Sequence, residues 1–165
     1  MDKIAIIFGS TTGMTEDIVK KIASQLDISK DDVYEVAGIT PEIISQYAVL
    51  LLGSSTWGCG ELQDDWYDGV EVLKKSDLSG KKISFFGTGD SESYPNTFCD
   101  ALGLIYKEIK ASGAIFTGQV DASEYTFDAS ISVEDGKFVG LALDDTNESN
   151  KTDERINRWI KSLVI

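Results

Sequence analysis

Two short runs constrain this chain more than anything else in it. "AVLLLG" at 48–53 and "KISFFG" at 82–87 are almost unbroken apolar stretches that end in glycine. A strand wet on one side alternates apolar and polar residues. A run without alternation needs cover on both faces, as in a parallel sheet flanked by helices. Further strand candidates are residues 3–8 and 33–37, and a broken last one near 114–117 and 138–143. Between them apolar residues recur at helical spacing: Ile18, Ile22 and Leu26; Trp66, Val70 and Leu73; Phe98, Leu102, Ile105 and Ile109; Ile156, Trp159, Ile160 and Leu163. Thr152 suits the N-cap of the last helix, with Asp153 and Glu154 in the first turn, where the dipole favours negative charge. Alternating strands and helices imply a doubly wound α/β fold with right-handed crossovers. The 165 residues suit a single domain spanning 1–165. Residues 118–137, "GQVDASEYTFDASISVEDGK", fit no crossover helix and read as an insertion that interrupts the fifth strand.

In such folds ligands bind outside the carboxyl ends of the strands. Three loops are expected there, at 9–15, 54–62 and 88–97. The first, Gly9-Ser10-Thr11-Thr12-Gly13-Met14-Thr15, follows a strand and opens a helix. Backbone N–H groups at a helix start form an anion site, and four hydroxyls add donors. Three residues separate its glycines and Met14 follows Gly13, so it lacks the four-residue gap and lysine of a Walker A loop. There is no Gly-x-Gly-x-x-Gly fingerprint either. What remains is a phosphate held as a static handle, or a plain helix capped by Thr12 or Thr15. The other two loops carry Trp57 and Tyr94, aromatics in positions where loops lie on the surface. Two such rings beside a phosphate loop suggest a planar ligand held between them.

Composition narrows the chemistry. With no histidine, histidine-based triads and zinc sites are excluded. Cys59 and Cys99 are too few for a disulfide scaffold and lack metal-ligand spacing, so no metal is expected. A formal net charge of -13 argues against nucleic acid and suits encounter with basic proteins. No apolar run approaches the ~18 residues of a membrane span, and the start has no signal-peptide layout, so no membrane association and a cytoplasmic location are expected.

Three motifs in order resemble the flavodoxin family: Ser10-Thr11-Thr12-Gly13-Met14-Thr15, then Thr56-Trp57-Gly58-Cys59-Gly60-Glu61-Leu62-Gln63, then Gly87-Thr88-Gly89-Asp90 with Tyr94 downstream. "DGKFVGLALDD" followed by "TDERINRW", and the insertion itself, are similar to the family's long-chain subgroup. The resemblance implies a three-layer sandwich around a five-stranded parallel sheet of order 2-1-3-4-5. It also implies non-covalently bound FMN and a low-potential one-electron carrier, with no catalytic residues. Such a carrier shuttles between semiquinone and hydroquinone and links a flavodoxin reductase type donor to low-potential acceptor enzymes, as a transiently docking monomer. By the same resemblance, residues Ser10 to Thr15 hold the phosphate. Ser55, Thr56 and the 144–147 turn, with Asp145, serve the ribityl chain. Trp57 and Tyr94 flank the isoalloxazine. Thr88, Gly89 and Asp90, with Asn96, Phe98 and Cys99, border its pyrimidine end. The turn Gly58-Cys59-Gly60 faces flavin N5, and the Gly58 peptide is expected to rotate its carbonyl toward N5 in the semiquinone.

Glu61, Asp64, Asp65, Asp90, Glu92 and Asp100 lie near these loops in sequence. One carboxylate ~10 Å from an anionic reduced ring raises its energy by about 0.4 to 1.7 kcal/mol, for an effective dielectric of roughly 80 down to 20. Several together would favour a strongly reducing carrier with an acidic rim. Small apolar packing is the expected role of Cys59 and Cys99, ahead of a redox disulfide. The alternative left open is an NAD(P)H-dependent quinone or azo reductase of the same fold. A signalling receiver would need an aspartate at the third strand end, where this chain has Gly53-Ser54-Ser55.

Overall fold

A computed structural model describes residues 3–9, 13–57 and 60–165 of the chain. Its first strand, β1 (Ile4–Gly9), pairs in parallel with β2 (Val33–Glu35) on one side and with β3 (Val49–Trp57) on the other. Next to β3 lies β5 (Lys82–Thr88), again parallel. Both apolar runs thus lie in the middle of the sheet. Alternate residues of each strand feed opposite layers. Ile6, Phe8, Val49, Leu51 and Phe86 pack against Ile18, Val19 and Ile22 of α1 (Met14–Leu26) and Ile156 and Trp159 of α5 (Thr152–Ser162). On the other face Ala5, Ile7, Leu50, Leu52 and Phe85 meet Trp66, Val70 and Leu73 of α3 (Asp65–Lys75) and Leu102, Ile105 and Ile109 of α4 (Asp100–Ile109). A short helix, α2 (Pro41–Ser45), joins the second layer, capped by Thr40 on Ile43 N–H. Trp66 Nε1–H donates to Gly53 O at 2.7 Å, which ties α3 to the middle of β3.

The strand count departs from the expected five. The fifth position is shared: β6 (Ile115–Phe116) pairs with Lys82 and Ile83, and β10 (Leu141–Leu143) pairs with Phe86, Gly87 and Thr88. A short β4 (Glu61–Leu62) adds an antiparallel partner to β3, making seven strands in all among the described residues. The segment between β6 and β10 forms its own antiparallel sheet of β7 (Val120–Asp121), β9 (Lys137–Phe138) and β8 (Val133–Glu134). Phe138 therefore belongs to the insertion and not to the returning strand. Its ring is buried against Phe98, Tyr125 and Phe127 in a third cluster, which draws it away from the main sheet.

Three local expectations are also corrected. Residues 54–57 continue β3 and pair with β4, so the second loop is a hairpin with Trp57 opposite Glu61. Phe98 precedes α4, because Cys99 adopts a left-handed φ of 54°, which no helix interior tolerates. Thr152 is the first residue of α5 after a 3-10 turn at 149–151, and its hydroxyl donates to Asp145 Oδ1 at 2.5 Å instead of capping the helix.

Candidate functional site

Strand register gathers the loops at one edge. Gly9 lies beside Ser54, Ser54 beside Gly87, and Ser55 beside Thr88, which in turn faces Leu143. The segments that leave β1, β3, β5 and β10 therefore emerge side by side. Ser10, Thr11, Thr12, Gly58 and Cys59 lie outside the described residues, so the phosphate motif and the second turn are seen only through their flanks.

At the first loop Gly13 is the N-cap of α1, with φ 86°, and among the described residues no side chain caps that helix. Of the two residues that the plain-helix alternative offered as a cap, Thr15 is therefore not one, and Thr12 lies outside the described residues. Among the described residues a Cβ at Gly13 would meet nothing within 4 Å, so its φ of 86° is what favours glycine there. Thr15 is buried, and among the described residues its Oγ1 has no hydrogen-bond partner. Ser55, at the end of β3, has a buried Oγ in the same condition. An unsatisfied buried hydroxyl costs about 1–3 kcal/mol, so two of them at one edge of one sheet call for an explanation.

Beyond Ser55, Thr56 Oγ1 accepts from Ala101 N–H at 3.1 Å. This fixes the hydroxyl and leaves its own proton for another acceptor. Trp57, the last residue of β3, is 38% exposed, and Tyr94, in the loop after β5, is 43% exposed. Gly60, at φ 96°, donates its N–H to Trp57 O and closes the hairpin. In the third loop Gly89 N–H donates to Leu143 O at 2.9 Å, and Tyr94 N–H to Asp90 O at 2.9 Å. Thr88 is buried and Asn96 exposed. Hydrogen bonds from Ser93 N–H and the Asn147 side chain hold the Asp90 carboxyl below its usual pKa.

Phe98 and Cys99 are buried, with the Phe98 ring and the Cys99 sulfur packed behind Gly89 of the third loop. The Phe98 ring stacks on Phe127 with centroids 5.6 Å apart, and the Cys99 side chain is fully buried, near Leu143 O. Burial raises its thiol pKa, as suits a small packing residue. In the fourth segment Asp144 is wholly buried and accepts from Ser91 N–H, the Ser91 hydroxyl, Asn147 N–H and the Asn147 side chain. Asp145 is half-buried and accepts from Thr152. Asp144 and Asn147 thus brace the third loop; their partners lie 53 and 57 residues away, so sequence spacing gave no signal for them. Glu61, Asp64, Asp65 and Glu92 are exposed. Asp100 is buried, which removes it from the acidic rim the sequence suggested.

A doubly wound sheet with two exposed aromatics near its carboxyl edge and, among the described residues, no side-chain cap on α1 and two buried hydroxyls without partners fits the class of α/β proteins that bind a phosphorylated planar ligand. The comparisons narrow this to one family. The family model for flavodoxin matches residues 6–159, and the chain belongs to that family. It is 42% identical to flavodoxin 1 of Azotobacter vinelandii, over 99% of this chain and 96% of that one. It is likewise 42% identical to flavodoxin 1 of Escherichia coli, over 96% and 90%. Among solved structures, Fusobacterium nucleatum flavodoxin bound to flavin mononucleotide superposes with a TM-score of 0.89 at 30% identity, covering 98% of this chain and 96% of that one.

Proposed function

We propose that this protein is a one-electron carrier that uses non-covalently bound FMN. The observation that carries the reading is a pair of buried hydroxyls, Thr15 Oγ1 and Ser55 Oγ, that have no partner among the described residues and stand at the ends of the two segments where a phosphate and a polyhydroxyl chain would lie. Both need an outside partner, and FMN offers acceptors at one and hydroxyls at the other. The left-handed Gly13 at the start of α1, with no side-chain cap among the described residues, fits a phosphate group as well.

Ser10, Thr11, Thr12, Gly13, Met14 and Thr15 would hold the phosphate through backbone N–H groups and hydroxyls. Ser55, Thr56 and Asp145 would serve the ribityl chain. Trp57 and Tyr94 would flank the ring, with Gly58, Cys59 and Gly60 on one border. Thr88, Gly89, Asp90 and Asn96, and the backbone of Phe98 and Cys99, would form the other. Bound FMN supplies the one-electron redox chemistry. The protein's part is to orient the ring, keep one edge near the surface and set the surrounding charge. Asp90 stays ionised through its Ser93 and Asn147 contacts, and Glu61, Asp64, Asp65 and Glu92 add exposed negative charge nearby. That charge disfavours electron-rich forms of the ring and attracts basic partners.

The whole chain reads as one FMN-binding domain of the long-chain type, acting as a cytoplasmic monomer. It passes electrons between a reductase and low-potential acceptors without turning over a substrate of its own. Among the described residues no helix is long and apolar enough to cross a membrane. The test is an absorbance spectrum of the purified protein, reconstituted with FMN and reduced stepwise with dithionite. Two separated one-electron stages are expected. A protein that retains no flavin after gel filtration refutes the reading, and rapid NADPH oxidation by the isolated protein refutes the carrier assignment.

A further inference from the structure

The insertion does more than split the fifth strand. Residues 128–132 run along the third loop and the start of α4. Asp128 and Ala129 donate their N–H groups to Pro95 O at 2.7 and 2.9 Å. Ile131 N–H donates to Asp100 Oδ1 at 2.9 Å. The Ser132 hydroxyl, wholly buried, accepts from Gly103 N–H at 2.7 Å and donates to Cys99 O at 2.6 Å.

These contacts meet a specific need. The N-cap of α4 is Cys99, left-handed at φ 54° and with no side-chain cap. That conformation costs a non-glycine residue about 1–2 kcal/mol. Two of the first N–H groups of α4 are satisfied from elsewhere, Ala101 by Thr56 and Gly103 by Ser132. A Cβ at Gly103 would lie 2.7 Å from Ile131 O, so the helix is pressed directly onto the insertion. Asp100 reaches the other way as well. Its Oδ2 lies 2.8 Å from where a Gly60 Cβ would stand, against the residue that closes the Trp57 hairpin.

We propose that Ser132 and Asp100 are positioning residues through which the insertion sets two ring-bordering segments, the hairpin end at Trp57 and Gly60 and the loop at 96–99. The inference rests on the FMN reading. Ser132 fixes the Cys99 carbonyl and the first turn of α4, and Asp100 transmits the position of Ile131 to Gly60. Neither residue needs to touch the ligand.

The test compares wild type with Ser132→Ala, Asp100→Ala and Asp100→Asn. The readouts are the FMN dissociation constant from flavin fluorescence, the visible circular dichroism of bound FMN, and urea unfolding of the apoprotein. Loss of one positioning hydrogen bond is expected to raise Kd about tenfold and to alter the visible dichroism. Asp100→Asn keeps an acceptor for Ile131 N–H and is expected to restore most of what Asp100→Ala loses. If Ser132→Ala does not fold, the two Asp100 variants carry the comparison. Lower apoprotein stability with wild-type Kd and dichroism would mean a purely structural role and would overturn the inference. A wild-type protein that binds no FMN defeats the functional reading instead.

Discussion

Replacing Thr15 by valine should move two measurements in opposite directions. Thr15 is 1% exposed and its hydroxyl has no partner among the described residues. A buried hydroxyl without a hydrogen bond costs about 1–3 kcal/mol, and valine keeps the β-branched shape while removing it. The apoprotein should therefore become more stable by about 1 kcal/mol, which for a chain of this size raises Tm by about 2–4 °C. FMN binding should weaken. A hydrogen bond to a charged group contributes about 1.5–3 kcal/mol, so its loss raises Kd about ten- to a hundredfold. The assay pairs thermal unfolding of the apoprotein with titration of FMN by fluorescence quenching. Ordinary core damage would lower Tm and leave Kd alone. A variant that is less stable as apoprotein and binds FMN with wild-type affinity shows that Thr15 is satisfied internally, and the argument from orphaned hydroxyls then fails.

Gly13→Ala places a Cβ in open space at φ 86°, so its cost is backbone strain alone, about 1–2 kcal/mol, read as a lower urea midpoint of the apoprotein. Glu148→Gln leaves the Arg155 guanidinium, 4% exposed and stacked over Tyr125, without its charge partner; a loss of about 3 kcal/mol in urea unfolding is expected. Lys151 and Arg155 hold the Glu148 pKa below its usual value, against the opposing effect of burial. Its contribution is therefore complete above the unfolded-state pKa near 4.5 and fades as pH falls through the lower folded value; the gap between wild type and Glu148→Gln should close only in that acidic range. Reduction by a basic redox partner, followed by stopped flow, should slow about tenfold between low and high salt, and a flat salt profile would remove the acidic surface from the encounter.

The sequence by itself determined the layers. Unbroken apolar runs require cover on both faces, and helical periodicity supplies that cover, so the alternation of strands and helices was readable from local pattern, whereas the strand order came only from the family resemblance. The loops after β1 and β5 were readable for the same reason, because each sits where a strand pattern stops and a glycine- and hydroxyl-rich stretch begins, whereas residues 54–57 of the second candidate continue β3. What only the tertiary structure decided depends on partners distant in the chain. Phe98 continues a helical spacing with Leu102 and Ile105, yet the left-handed Cys99 turns it out of the helix and into the aromatic cluster of the insertion. Asp100 counts as acidic rim by sequence and is buried in fact, held by Ile131 from a segment 31 residues away. Asp145, Asp144 and Asn147 look interchangeable in "LDDTN", and only the fold commits Asp144 to Ser91 and Asp145 to Thr152. Local periodicity reports which face of an element is apolar, because burial acts on each strand or helix separately. A hydrogen bond between loops depends on where two strand ends are brought together, and that is fixed only when the sheet has its register.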